Sequence, residues 1–217
     1  MSTGNAMREI NDASAVLIEK VMPALVQVTS GRRGAGAGII WSHDGLIITN
    51  AHVIRRSKPQ VIFSDGKTFP ADVLGIDREN DLAALRIEAN DLLAAEVGHS
   101  RELVSGQMVI ALGHPWGITG AVTSGMVVSS GRSLAGMPGG ERELIAISLH
   151  LRPGYSGGPL IDDQGRVVGV NVMMAGPEVG LAIPSHVVNE FLKALAELMN
   201  GEPGKQANRT KVESAYA

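Results

Sequence analysis

The chain of 217 residues contains no cysteine, which excludes disulfide scaffolds, thiolate zinc sites and cysteine nucleophiles together. The same absence leaves the redox compartment open, since a cysteine-free protein suits either. No charge of one sign dominates. Nineteen Lys and Arg against 22 Asp and Glu leave a net charge of −3, so no overall basic field attracts nucleic acid or acidic lipid, and no nucleic-acid partner is expected. No stretch approaches the ~18 uninterrupted apolar residues of a spanning helix, and Met1 to Ala15 lack the basic start and apolar run of a signal peptide. The sequence therefore reads as soluble and untargeted. What is present is a 44% hydrophobic and 19% charged composition, enough for a substantial core and incompatible with global disorder. The 27 Gly and 10 Pro punctuate short apolar runs, a texture of many short strands.

Asn11 to Val21 spaces Val16, Leu17 and Val21 as a short amphipathic helix would, and Pro23 stops it. From Leu25 to Ser185, short Val- and Ile-rich runs recur between glycine turns such as Asp44-Gly45 and Asp65-Gly66. Twelve strands are expected. The first six are 25–30, 35–42, 46–51, 60–64, 69–76 and 81–88; the second six are 108–113, 121–130, 143–151, 158–162, 166–174 and 179–184. Six and six suggests an all-β fold of two barrels, 25–105 and 106–185, behind an N-terminal segment of residues 1–24. The polar stretch from Asn90 to Gln107 connects them. Ser185 can cap a helix over 186–200, where Val188, Phe191, Leu192, Leu195, Leu198 and Met199 form one apolar stripe. Residues 201–217 carry almost no apolar side chains and read as a disordered tail.

The strongest chemical signal is Gly154-Tyr155-Ser156-Gly157-Gly158-Pro159-Leu160, a serine in a glycine-rich turn leading into an apolar strand. Glycines there let backbone amides approach a substrate carbonyl. By chance, G-x-S-G-G-P-L would arise in about a few of every 10⁵ chains of this length. A serine hydroxyl needs a positioned base to take its proton. Among six histidines, His52 ends the apolar run Ile47 to Val53, where the chain leaves the sheet and a side chain can face a cleft. A third group must hold the imidazole tautomer, and a carboxylate near buried apolar neighbours does this best. Asp81 fits, opening the apolar run Asp81 to Ile87, whereas Asp44, Asp65 and Asp163 sit in turn contexts. The remaining histidines, His43, His99, His114 and His186, show no ligand spacing, so neither metal nor cofactor is expected.

These segments resemble the protease domain of the HtrA (DegP-like) family, trypsin-fold serine proteases of protein quality control and stress response. Six blocks between about Ile18 and Leu195 carry the resemblance in the family's order: IEKVMPALVQV, GAGIIWSHDGLIITNAHVI, DRENDLAALRI, GHPWGITGAVTSGMVVSSGRS, PGYSGGPLIDDQGRVVGVN and GLAIPSHVV. The resemblance implies two six-stranded antiparallel barrels of the chymotrypsin type with a cleft between them. It implies His52 as general base, Asp81 as its orienter and Ser156 as nucleophile of a serine endopeptidase. The oxyanion hole falls to the amides of Gly154 and Ser156. By positional match, Leu151 and Met174 line the specificity pocket and His150 lies near its floor. The substrate would be unfolded protein or peptide, added as a strand along Val172 to Met174. The family's homotrimer and its mostly periplasmic or envelope location are implied as well.

Several positions depart from the family. Tyr155 stands where Asn is usual, placing bulk beside the oxyanion loop. Ser148-Leu149-His150-Leu151-Arg152-Pro153-Gly154 replaces a run of small and neutral residues, and a protonated His150 would favour acidic side chains. Most members continue into PDZ domains, whereas 18 residues follow Met199, too few for one. The trimer usually rests on aromatic residues near the N-terminus, and none precedes Trp41. These departures motivate an alternative, a latent or inactive module that binds peptides or acts as a chaperone.

Overall fold

The computed structural model describes residues 3–31, 35–55, 58–131, 142–176 and 178–200; the expected tail over 201–217 lies outside them. Among the described residues there are twelve strands: β1 (Leu25–Thr29), β2 (Ala35–Ile40), β3 (Leu46–Thr49), β4 (Gln60–Ile62), β5 (Thr68–Asp77), β6 (Leu82–Ile87), β7 (Met108–Gly113), β8 (Ala121–Gly131), β9 (Leu144–Ile147), β10 (Pro159–Ile161), β11 (Val167–Gly176) and β12 (Val179–Pro184). They close into two antiparallel barrels with neighbour orders β1-β2-β3-β6-β5-β4 and β10-β11-β12-β9-β8-β7. Closure pairs the strands on both sides except where a ladder stops short, as that between β10 and β11 does at Val170.

The strands read as continuous apolar runs because both faces are buried. In β3, Ile47 points into the first barrel beside Val26, Val28, Ala83 and Leu85. Its neighbour Ile48 points the other way, into a core that joins Leu82 and Ala84 of the first barrel to Ile110, Leu112 and Ile161 of the second. β7 repeats the pattern, with Val109 and Ala111 inside the second barrel and Ile110 and Leu112 in the shared core. Each such Ile or Leu, at or near zero exposure, contributes roughly 1.5–3 kcal/mol. The seam between the barrels is thus a hydrophobic core in its own right, and it fixes one barrel against the other.

Three local features differ from the sequence expectation. The run from Glu143 to Leu151 stays in the ladder only over Leu144–Ile147; Leu149 and Leu151 are still buried, but from irregular backbone that leads into the serine turn. Helix α1 spans Thr3–Val21, eight residues longer than its apolar pattern. Asn5, Arg8 and Glu9 in the added part are exposed, so no stripe marks it. In helix α2 (Ser185–Asn200) the stripe packs as far as Leu195, while Leu198 and Met199 are solvent-exposed.

Among the described residues, the Ser185 hydroxyl bonds outside α2. It lies 2.8 Å from the Gly98 carbonyl and 3.0 Å from Ser100 Oγ, and Ser100 Oγ accepts the His186 N–H at 3.1 Å. The His186 ring lies 2.8 Å from Ser100 Oγ through Nδ1 and 2.7 Å from Glu143 through Nε2. This chain ties α2 to the inter-barrel connection and to the entry of β9. Among the described residues no helix is long and apolar enough to cross a membrane.

Candidate active site

Two turns of the first barrel meet at Asp81. β3 ends at Thr49 and the chain makes a 3-10 turn over Ala51–Val53, which lifts His52 out of the sheet. Between β5 and β6, Asp77 accepts from the Asn80 backbone and side chain at 3.0 and 2.7 Å. The next residue, Asp81, takes a left-handed φ of 57°, a conformation Asp tolerates better than most residues. Its carboxylate then faces back toward β3. Oδ2 lies 2.7 Å from His52 Nδ1 and Oδ1 accepts the His52 N–H at 2.9 Å. The Asp81 carbonyl accepts from the Ala51 N–H at 3.1 Å and from Asn50 Nδ2 at 3.0 Å. Four contacts therefore fix one carboxylate against one imidazole. The Asp81 side chain is 11% exposed against 44% for His52, so the carboxylate is the buried partner and the imidazole the open one.

The second barrel supplies Ser156 from the loop before β10. Arg152 to Tyr155 forms a turn closed by a 3.0 Å bond from the Tyr155 N–H to the Arg152 carbonyl. Pro153 and Gly154 occupy its centre, and Gly154 has φ of 110°, the arrangement of a type II turn. A Cβ at Gly154 would meet the His114 carbonyl oxygen at 2.5 Å, so glycine is required there twice over. The His114 N–H holds the Gly154 carbonyl at 2.9 Å. Among the described residues, the N–H groups of Gly154 and Ser156 have no backbone acceptor. Two adjacent donors are therefore open to a substrate oxygen.

Ser156 is anchored across the seam, its carbonyl accepting the Ala37 N–H of β2 at 2.8 Å. This bond brings the second barrel's serine to the first barrel's histidine. The Ser156 hydroxyl donates to the Val172 carbonyl at 2.8 Å, and among the described residues no hydrogen bond joins it to His52. It must rotate about χ1 before its proton can reach the imidazole.

His52, Asp81 and Ser156 line one cleft of about 630 Å³, together with Leu151, Val172 and Met174. Leu151 is buried, and its N–H lies 3.1 Å from the Met174 sulfur, so these two side chains make an apolar wall. His150 is exposed and is not among the residues that line the cleft. The Tyr155 ring also avoids the cleft. It is 5% exposed, sits in the second barrel's core beside Gly113, and burial raises its hydroxyl pKa. The bulk expected beside the oxyanion loop is therefore packed beneath it, where it supports the turn.

Sequence reasoning missed a buried polar layer under the site. Among the described residues, Asn50 Oδ1 and Asn171 Oδ1 are buried side-chain atoms without a partner, and the buried His114 ring accepts the Gly120 N–H at Nδ1 (3.3 Å) and meets the Val26 backbone. Each of these three residues touches a site segment: Asn50 holds Asp81, His114 holds Gly154, and the Asn171 carbonyl accepts the Gly157 N–H at 2.9 Å. Orphaned polar atoms are costly in a core and concentrate where geometry is required for function. Burial also lowers the His114 pKa, keeping that ring neutral beneath the turn. No group of three His, Cys, Asp or Glu side chains capable of holding a metal occurs among the described residues.

Residues 36–170 match the Trypsin-like peptidase domain family. Human "Serine protease HTRA4" is 37% identical over 205 residues, covering 88% of this chain and 43% of that protein. The mitochondrial serine protease HTRA2 of Drosophila erecta is 39% identical over 168 residues, covering 75% and 40%. The chain thus spans about two fifths of the length of these curated relatives. Among solved structures, the HtrA-type protease AlgW with a tripeptide aligns at a TM-score of 0.77 and 29% identity, over 84% of this chain and 63% of that one. A serine endoprotease from Yersinia pestis aligns at 0.74 and 28%, over 82% and 65%.

Proposed function

We propose, from the premise that the chain belongs to the trypsin-like peptidase family and within it to the HtrA-type serine proteases, that it is an endopeptidase acting on unfolded polypeptides in protein quality control. The observation that carries the reading is the Asp81–His52 pair, bonded at 2.7 Å, in one cleft with a serine whose turn offers two unpaired amides. In this reading Ser156 Oγ attacks the scissile carbonyl while His52 Nε2 takes its proton, and an Oγ–C bond forms. The carbonyl oxygen becomes an oxyanion held by the Gly154 and Ser156 N–H groups. His52 then protonates the leaving amine, the C–N bond breaks, and water repeats the sequence to release the acyl group from Ser156.

An open strand edge supports the choice of an unfolded substrate. β11 pairs with β12 through Met174 and Gly176, but its ladder with β10 ends at Val170. Asn171 is bonded to Gly157 and Gly158; beyond it, the edge of β11 that faces the cleft has no backbone partner among the described residues, and an extended peptide pairing there would be bound without regard to sequence. A second reading, a latent or inactive peptide-binding module, is favoured by the Ser156 hydroxyl being spent on the Val172 carbonyl.

Incubation of unfolded casein with the purified chain and with Ser156→Ala separates the two. Fragments from the wild type alone support the endopeptidase. Casein that is bound by both proteins and cut by neither contradicts it.

A further inference from the structure

The chain as a whole is acidic, with a net charge of −3, yet among the described residues of its cleft arginines outnumber carboxylates. Among the described residues, three arginines, Arg78, Arg142 and Arg152, line the cleft together with one carboxylate, Asp81. Both Asp81 oxygens are committed to His52, at 2.9 and 2.7 Å. These arginines come from both barrels. Arg78 belongs to the turn between β5 and β6 in the first barrel, immediately after Asp77, whose carboxylate is held by Asn80. Arg142 precedes the entry of β9, and Arg152 opens the serine turn, both in the second barrel.

Arg152 is also held in place. Its guanidinium carbon lies 4.9 Å from the centre of the Trp116 ring, a stacking that lowers the entropy lost when the head group meets a ligand. Trp116 adopts a left-handed φ of 53° and lies on the loop whose His114 holds Gly154. The charge is therefore positioned by the loop that positions the oxyanion turn. Like-signed charges in a cleft with low-dielectric walls focus the field along it. A guanidinium also offers a fork of donors matched to a carboxylate.

We infer that this cleft selects polypeptide segments carrying aspartate or glutamate beside the scissile bond, with Arg78 and Arg152 as the recognising residues. The inference rests on the endopeptidase reading and adds a substrate class to it. The apolar wall of Leu151 and Met174 takes one side chain, and the acidic ones fall on the residues flanking it. A guanidinium stays charged at any pH a peptidase works at, so the preference persists at alkaline pH. His150, outside the cleft, has no part in it.

The test uses quenched-fluorescent peptides with one valine before the scissile bond and either glutamate or glutamine on both sides. The glutamate peptide is expected to show about tenfold higher kcat/KM at low salt, an advantage that shrinks several-fold as salt screens exposed charges. Within Arg78→Gln, and separately within Arg152→Gln, the ratio of the two kcat/KM values falls by about threefold. Because the ratio is taken inside each variant, a partly damaged enzyme still reports it. Equal kcat/KM for the two peptides in the wild type, or a ratio unmoved by salt and by both substitutions, overturns the inference while leaving the endopeptidase standing. Failure to cut any peptide overturns both.

Discussion

Replacing Asp81 with asparagine leaves the volume of the side chain almost unchanged and inverts the chemistry of one of its two ends. In the native pair, two acceptor oxygens face two donors, the His52 N–H at 2.9 Å and the His52 Nδ1 position at 2.7 Å. An asparagine has one acceptor and one NH2. If its oxygen keeps the backbone N–H, the NH2 faces Nδ1, which must then become the acceptor, and the ring proton moves to Nε2. That is the tautomer that cannot take a proton from Ser156. If the amide flips, its NH2 opposes the backbone N–H in a site only 8% exposed, and a buried donor is left unpaired. The first arrangement is favoured, and the loss expected by analogy with other serine-protease triads is about 10⁴ in kcat, roughly 5.4 kcal/mol of transition-state stabilisation. Hydrolysis of a quenched-fluorescent peptide, with circular dichroism and thermal melting as controls for fold, measures it. Activity within tenfold of wild type in a folded Asp81→Asn protein would refute the assignment of Asp81 as the group that sets the His52 tautomer.

Two further consequences follow from the turn proposed to carry the oxyanion donors. Gly154→Ala forces a Cβ to 2.5 Å from the His114 carbonyl oxygen at φ of 110°, so the turn must move. Loss of a donor there should lower kcat by about 10²- to 10³-fold in steady-state peptide assays, with α2 and both barrels intact by circular dichroism. Beneath the turn, burial depresses the His114 pKa. The unfolded chain then binds the proton more readily than the folded one, so stability is full above the ordinary histidine range near 6.5 and declines as pH falls through it. Denaturant titrations from neutral to mildly acidic pH should show this slope, no steeper than about 1.4 kcal/mol per pH unit for a single group. It should be reduced in His114→Gln.

Elements whose signal is local were legible in the sequence. The runs of β7 and β12 are bounded by turns on both sides, and their observed limits, Met108–Gly113 and Val179–Pro184, are those the pattern indicates. Ser156 announces itself through its glycines, because a backbone that must pass within 3 Å of a neighbour cannot carry Cβ atoms, as at Gly154 and Gly158. Signals that depend on closure of the barrels were not legible. Arg78 lies far in the chain from Arg142 and Arg152 and shares a cleft with them because the two barrels are packed together along the seam. Alternation decided the surroundings of the serine turn: Leu149 and Leu151 are buried, while Ser148, His150 and Arg152 are exposed. Of these exposed side chains, Arg152 lines the cleft and His150 does not. Asn50 and Asn171 look like interruptions of apolar runs, since nothing in a linear pattern shows which buried carbonyl or carboxylate a polar side chain will meet.

The claim that Ser156 is a nucleophile activated by His52 is tested most directly by intact-mass analysis after incubation with a fluorophosphonate. The account predicts a single adduct on the wild type, with release of fluoride, and none on Ser156→Ala. An unmodified wild-type protein, both alone and with an unfolded peptide present to draw the hydroxyl away from Val172, would contradict it.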